Sequence, residues 1–362
     1  MQDLIRQWDG ESVVVRYDRP SDAWIFIVIH DRTLGMAMGG CRLKVYPTPN
    51  DALRDALRLA EGMTLKWAAI DFPFGGGKAV LAPSAPVEGK VREGLLLRFG
   101  ELVESLGGTY GTGVDLGTTP ADMNIIGRTT SRVFGRTPEH GGTGDPGPWT
   151  ALGVFSGMKA ACARAFGTRD LAGRSVLVQG VGGVGGPLAR RLHEAGARVL
   201  VTDALPDRAA RAAAQLGAQV VAPEEAYDTE CDVFAPCAIG GVLNRRSIAR
   251  LCCRIVAGSG NNQLEEAADA ERLHERGILY VPDFVINAGG AIAHGALEVL
   301  GWARNQVEAR VLRIGETVGE ILEDAARQGE SPLREAERRA QRVLRAAREK
   351  RTEPAAAALA SR

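Results

Sequence analysis

A glycine fingerprint in the middle of the chain narrows the fold more than any other feature. Gly180-Val181-Gly182-Gly183-Val184-Gly185 has G-x-G-x-x-G spacing. It follows the apolar, β-branched run Ser175-Val176-Leu177-Val178-Gln179 and opens a helical pattern over Pro187–Ala195. The next strand-like run, Val199–Thr202, leads into Asp203, 18 positions after the last glycine. Each glycine has a distinct physical task in such a unit. Gly180 permits a tight turn, Gly182 lets backbone approach a pyrophosphate, and Gly185 lets helix and strand pack closely. The free N–H groups and dipole of the helix start favour an anion there. Asp203 can accept hydrogen bonds from a ribose diol and repels a 2′-phosphate, so the expected cofactor is NAD rather than NADP.

Further short strand signals at Gln219-Val220-Val221, Asp232-Val233-Phe234 and Arg254-Ile255-Val256 alternate with helical stretches. This pattern predicts a doubly wound, parallel α/β sheet, preceded by a second domain. The length of 362 residues suits two domains. In the N-terminal part, Ser12–Arg16 and Trp24–His30 read as strands separated by the turn Asp18–Asp22. Trp24–Ile29 is nearly continuously apolar, which demands burial on both faces or a subunit contact. Thr48-Pro49-Asn50-Asp51 supplies cap chemistry for a helix carrying Leu53, Leu57, Ala60 and Thr64 on one face. A second helix spans about Val91–Leu106, and a Gly/Thr-rich loop follows it. Glycine and proline cluster over Gly141–Pro148, which marks a hinge before the helix Thr150–Ala165. The expected organisation is an N-terminal α/β domain (1–140), a Rossmann domain (141–287) and a helical segment (288–362) returning to the first domain. The stretch Thr352–Arg362 reads as weakly anchored.

Composition excludes several classes. Forty-four basic and 44 acidic residues cancel, so no positive field points to nucleic acid or an anionic membrane. Asp3 and Asp9 occupy a start where a secretory leader needs basic and then apolar residues, and six cysteines lack CxxC spacing, so a reduced, cytoplasmic protein is expected. Five histidines without HxxxH or HExxH argue against a catalytic metal.

Two lysines flank a glycine turn: Lys66 in Met63-Thr64-Leu65-Lys66-Trp67, and Lys78 in Phe74-Gly75-Gly76-Gly77-Lys78. The turn is not a Walker loop, because Phe72 occupies the first glycine position and Ala79 replaces Ser/Thr. A lysine among glycines and apolar residues either reaches solvent through its stem or has its proton affinity lowered for acid–base work.

These segments, with Gly39-Gly40-Cys41-Arg42, Asp115-Leu116-Gly117-Thr118-Thr119 and Pro282–Gly290, resemble the glutamate/leucine/phenylalanine/valine dehydrogenase family. The similarity runs over about residues 10–300, in the family's order, and is strongest for the leucine and phenylalanine enzymes. The resemblance implies oxidative deamination of an L-amino acid to a 2-oxo acid and ammonia, and its reverse, in a homo-oligomer. The apolar Trp24–Ile29 strand, needing cover, points to an oligomer as well. Lys66 would pair with the substrate carboxylate and Lys78 would be the general base that activates water. Asp115 would exchange protons with the amino group. Thr150, Asn261, Asn262 and Asn287 would orient carboxamide, ribose and substrate carboxylate, while Gly39 and Gly40 let substrate lie against backbone. From the residues alone, Asp115 could instead cap its loop, and Asn261-Asn262 could simply form a turn.

The substrate side chain is expected to be apolar. The family's glutamate enzymes carry a lysine immediately before the glycine pair, and this chain has Met38 there. Gly113 and Ala291 are small and leave room for an aromatic ring, with branched-chain specificity or a specialised biosynthetic role as alternatives. His294 could bond a polar or indole substrate, or face solvent. A catalytically silent NAD-binding protein is the alternative from another class. Keeping Lys66, Lys78 and Asp115 together weighs against it.

Overall fold

Alternation of apolar side chains decides the first half of the molecule. The structure, a computed structural model, describes residues 1–360 in backbone and 1–350 in full. The stretch Thr352–Arg362 lies outside those described in full. The chain opens with α1 (Gln2–Arg6), β1 (Ser12–Asp18), β2 (Ala23–Asp31), β3 (Ala37–Met38) and β4 (Cys41–Leu43). It continues with α2 (Pro49–Ala69), β5 (Gly75–Pro83), α3 (Gly89–Ser105), β6 (Tyr110–Gly111) and α4 (Pro120–Ile126). The strands form one sheet in the order β1-β2-β5-β3-β6, with β4 also pairing β5.

Strand β2 is buried on both faces, and the two faces feed different cores. Ile25, Ile27 and Ile29 pack with Leu95, Phe99 and Met123 from α3 and α4. Phe26 and Val28 pack with Leu53, Ala56, Leu57 and Ala60 from α2. Burying each of the valine, leucine, isoleucine, phenylalanine and methionine side chains among them contributes about 1.5–3 kcal/mol. With β1 and β5 hydrogen-bonded along its edges, β2 is covered within its own chain. The apolar run Trp24–Ile29 therefore needs no subunit contact, and the expectation of an oligomer loses that support. Helix α2 starts where the cap chemistry put it: the Thr48 side chain accepts from the Asp51 N–H, and Pro49 fills the first turn, where its missing donor costs nothing.

The second half begins with α5 (Gly147–Phe166), β7 (Ser175–Gln179), α6 (Gly185–Glu194), β8 (Arg198–Thr202), α7 (Pro206–Leu216) and β9 (Gln219–Val220). Then come β10 (Val233–Pro236), α8 (Arg245–Arg250), β11 (Ile255–Val256), α9 (Ala268–Glu275) and β12 (Leu279–Tyr280). Helices α10 (Asp283–Ile286), α11 (Gly289–His294), α12 (Arg304–Leu312), α13 (Ile314–Gln328) and α14 (Pro332–Ala360) complete the chain. The sheet order is β12-β11-β10-β7-β8-β9, with every pair parallel. This is the doubly wound arrangement, in which connections leave opposite sides of β7 and open a crevice between β7 and β10.

The chain divides into two compact units, one of Met1–Asp145 with the residues from Ala340 onwards, the other Pro146–Arg339. The division falls inside the Gly141–Pro148 cluster. The helical tail behaves differently from expectation: residues 288–339 belong to the second unit, and only the chain from Ala340 joins the first. Glycines on α5 are the cause. A Cβ at Gly153 would lie 2.7 Å from Ile314 Cδ1, and one at Gly157 would lie 2.6 Å from Ile286 Cγ1. On the facing helix, a Cβ at Gly315 would lie 2.5 Å from Ser156 Oγ. These notches let α10 and α13 seat directly on α5, where apolar contact holds them. Among the described residues, no helix is long and apolar enough to cross a membrane.

Candidate active site

In the first unit the chemistry gathers at the start of β5, where Gly75-Gly76-Gly77, expected as a turn, are paired strand residues lying between β2 and β3. Residues 75–77 have no side chains because there is no room for them. A Cβ at Gly76 would lie 2.0 Å from Thr64 Oγ1, and one at Gly39 would lie 1.8 Å from the Gly77 carbonyl oxygen. The strand thus passes hard against α2 and against the Gly39-Gly40 pair. Trp67 Nε1 donates to the Met38 carbonyl at 3.3 Å, and Tyr110 donates its hydroxyl to the Gly39 carbonyl at 2.6 Å. Lys66 lies between Met63 and Trp67 on this packed end of α2 and is half-buried.

Lys78 does not reach solvent; it is 5% exposed. Its ammonium sits 2.9 Å from Asp115 Oδ1. The other carboxylate oxygen, Oδ2, accepts from Arg42 Nε at 2.8 Å. Burial by itself would raise the Asp115 carboxyl, but Lys78 and Arg42 together hold it well below the usual carboxylate range. The Asp115 side chain leaves the loop uncapped, and Thr118 does that work: its hydroxyl accepts from the Asp115 N–H at 2.9 Å. Arg42 was visible in the sequence beside the glycine pair, but nothing there marked it as a partner of Asp115.

Met38 is buried on β3, in register with Gly76 and Gly111. Gly113 is buried but has room for a methyl in ordinary contact, the nearest atom to a Cβ there being Phe134 O at 3.4 Å.

The second unit carries the remaining candidates. Gly180 has φ +91°, a backbone that L side chains rarely adopt, and a Cβ at Gly185 would lie 1.8 Å from the Gly180 carbonyl oxygen. At Gly182 space is open: the nearest atom to a Cβ is Arg208 Nη1, 3.9 Å away. Asp203 is buried and anchored, accepting from the Val181 N–H and the Leu205 N–H at 3.0 Å each, with Arg208 Nη1 at 3.7 Å. Two buried oxygens without partners, Gln179 Oε1 and Thr202 Oγ1, sit at the carboxyl ends of β7 and β8. Tight glycines, the change of strand order between β7 and β10, a fixed carboxylate and unsatisfied polar atoms together fit a dinucleotide.

Asn287 Nδ2 donates to the Ser259 carbonyl at 3.1 Å and to Asn261 Oδ1 at 2.8 Å, linking two expected site residues. Asn262 adopts φ +50°, so it also forms the turn. Thr150, buried in the first turn of α5, donates to the Pro146 carbonyl at 3.1 Å, and a Cβ at Gly290 would lie 2.6 Å from its hydroxyl. Ala291 is half-buried, whereas His294 is only 8% exposed, so it does not face solvent as one alternative held. Its position on α11, against α5, removes it from water.

Comparison with known proteins agrees with this geometry. Residues 21–132 match the family model for the Glu/Leu/Phe/Val dehydrogenase dimerisation domain, and residues 202–351 match that for glutamate/leucine/phenylalanine/valine dehydrogenase. A leucine dehydrogenase from Geobacillus stearothermophilus is 45% identical over 320 residues, 88% of this chain and 86% of the relative. The chain belongs to the glutamate/leucine/phenylalanine/valine dehydrogenase family. A phenylalanine dehydrogenase from Bacillus thermotolerans is 41% identical over 93% of this chain and 89% of its own length. The crystal structure of L-tryptophan dehydrogenase from Nostoc punctiforme superposes with a TM-score of 0.82 at 38% identity, covering 96% of this chain and 100% of that one. The two-domain fold of this dehydrogenase is the family's.

Proposed function

We propose that this dehydrogenase oxidises an apolar, aromatic L-amino acid, with NAD as acceptor. The balanced reaction converts amino acid, NAD⁺ and water to 2-oxo acid, ammonium, NADH and a proton. The buried Lys78–Asp115 pair carries the reading, since it sets an ammonium and a carboxylate, withdrawn from water, beside a glycine-walled backbone that a substrate can approach. NAD would be held by Gly180–Gly185 and Asp203 and would supply the hydride acceptor; Thr150, Asn261, Asn262 and Asn287 are the groups assigned to orient it and the substrate.

The chain's own residues account for the rest. Lys66 clamps the substrate carboxylate, and the glycine pair Gly39-Gly40 lets the substrate lie along backbone. Lys78 in its neutral form takes a proton from the attacking water, and Asp115 exchanges a proton with the amino group and orients Lys78. Met38 offers no cation to a side-chain carboxylate, and Gly113 leaves the space that a ring requires. An assembly of several copies fits the dimerisation domain that the chain carries.

The test is NADH formation at alkaline pH with leucine, valine, phenylalanine, tyrosine and tryptophan. The aromatic reading requires the highest kcat/KM for an aromatic substrate, and a maximum at leucine or valine replaces it with branched-chain specificity. Lys78→Ala should abolish turnover and leave NAD affinity nearly intact. Equal loss of both would make Lys78 structural, and NAD binding without turnover of any amino acid would make the protein catalytically silent.

A further inference from the structure

Lys78 and Asp115 do not stand alone. Strand β4 runs parallel to β5 with Arg42 opposite Val80, while its neighbours Cys41 and Leu43 point into the core on the other face. Strand alternation therefore places Arg42 on the same face as Lys78 and Val80, the face covered by α2. There Arg42 bonds Asp115 through Nε and turns its Nη1 to Asp55 Oδ2, 2.8 Å away on α2. Asp55 is held in turn by the Tyr46 hydroxyl at 2.6 Å and by Arg58 Nη2 at 2.9 Å. The result is a line of alternating charge, Lys78–Asp115–Arg42–Asp55–Arg58. It begins at a side chain 6% exposed and ends at one 54% exposed.

A lone carboxylate beside Lys78 would work against a general base, because an adjacent anion stabilises the ammonium and keeps the proton on lysine. The guanidinium changes this balance. It stays charged at every working pH, takes one of the two Asp115 oxygens, and adds positive potential on the side away from Lys78. Both effects ease the departure of the Lys78 proton. Asp55 then supplies the counter-charge that makes burial of Arg42 tolerable. The other titratable groups packed around Asp115 are the Cys41 thiol on β4, pushed up to about 12 by burial, and the Tyr110 phenol on β6, also raised by burial. Both are neutral near pH 7, and Lys66 lies on the same helix as Asp55.

We propose that Arg42 is a positioning residue of the deamination site, holding the Asp115 carboxylate against Lys78 and setting by its charge the pH at which Lys78 becomes a base, with Asp55 as its counterweight. The proposal rests on the reading of Lys78 as general base.

The experiment compares wild type, Arg42→Gln, Arg42→Lys and Asp55→Asn in two readouts. One is the pH dependence of kcat/KM with the best amino acid; the other is the pH dependence of Lys78 acetylation by acetic anhydride, followed by peptide mass spectrometry, which needs no turnover. In Arg42→Gln the acidic midpoint should rise by about one pH unit in both readouts. Activity near pH 7 then falls about tenfold and returns as pH is raised. Asp55→Asn should move the midpoint the opposite way. Arg42→Lys should keep the wild-type midpoint, because it keeps the charge, at reduced kcat. If Arg42→Gln fails to fold, the opposite shift in Asp55→Asn decides alone. Midpoints unmoved in every variant that folds, with rates scaled down equally at all pH values, would overturn the proposal. Wild type inactive on every amino acid while the acetylation midpoint still shifts would sink the deaminase reading instead.

Discussion

Asparagine at position 115 removes the anion that joins two largely buried cations, Lys78 and Arg42, with side chains 6% and 13% exposed. Removing one member of a buried pair strands the other, which costs about 3–5 kcal/mol. Arg42 keeps Asp55 as a partner, so the loss falls mainly on Lys78 and the lower end, about 3 kcal/mol, applies. At about 2–4 °C per kcal/mol for a unit of this size, melting of Asp115→Asn should fall about 6–12 °C below wild type at pH 7. The pH dependence of the gap follows from Asp115. The folded Asp115 carboxyl is held well below its ordinary value, so its stabilisation is complete above the unfolded carboxyl range near pH 4. It is lost only as pH falls through the lower, folded value. The gap should therefore be flat from about pH 5 to neutrality and close on strong acidification. Thermal melts of both proteins across this range provide the measurement. A variant melting within about 1 °C of wild type at pH 7 would show that the charges are not buried together, and the electrostatic argument for the site would fail.

Two further substitutions address the rest of the machinery. Gly185→Ala puts a Cβ 1.8 Å from the Gly180 carbonyl oxygen, so the fingerprint must open; NAD affinity by calorimetry should fall more than about tenfold, and unchanged affinity would disconnect the loop from the cofactor. Gly113→Ala has space for its methyl, 3.4 Å from Phe134 O, so melting should be unchanged while kcat/KM for phenylalanine and tryptophan drops about tenfold relative to valine; equal effects on all substrates would remove Gly113 from the side-chain pocket.

Local chemistry was enough for a large part of this protein. The fingerprint between a buried strand and a helix announced the doubly wound unit, because each of its glycines answers a local steric demand. Thr48 and Pro49 marked the start of α2, and the apolar run in β2 demanded cover on both faces. Resemblance then singled out Lys78 and Asp115, two residues 37 positions apart that proved to be in contact.

Tertiary structure decided what periodicity leaves open. A strand pattern says which side chains share a face but not which strand lies alongside, so Arg42 could join Lys78 only once β4 had paired with β5. The same limit applied to β2, whose cover came from α2, α3 and α4 rather than another subunit. The tail helices followed the glycine notches on α5, a fit between surfaces distant in sequence, and His294 went out of solvent with them. Residue order encodes short-range geometry directly, whereas pairing among distant segments depends on which surfaces fill one another's space.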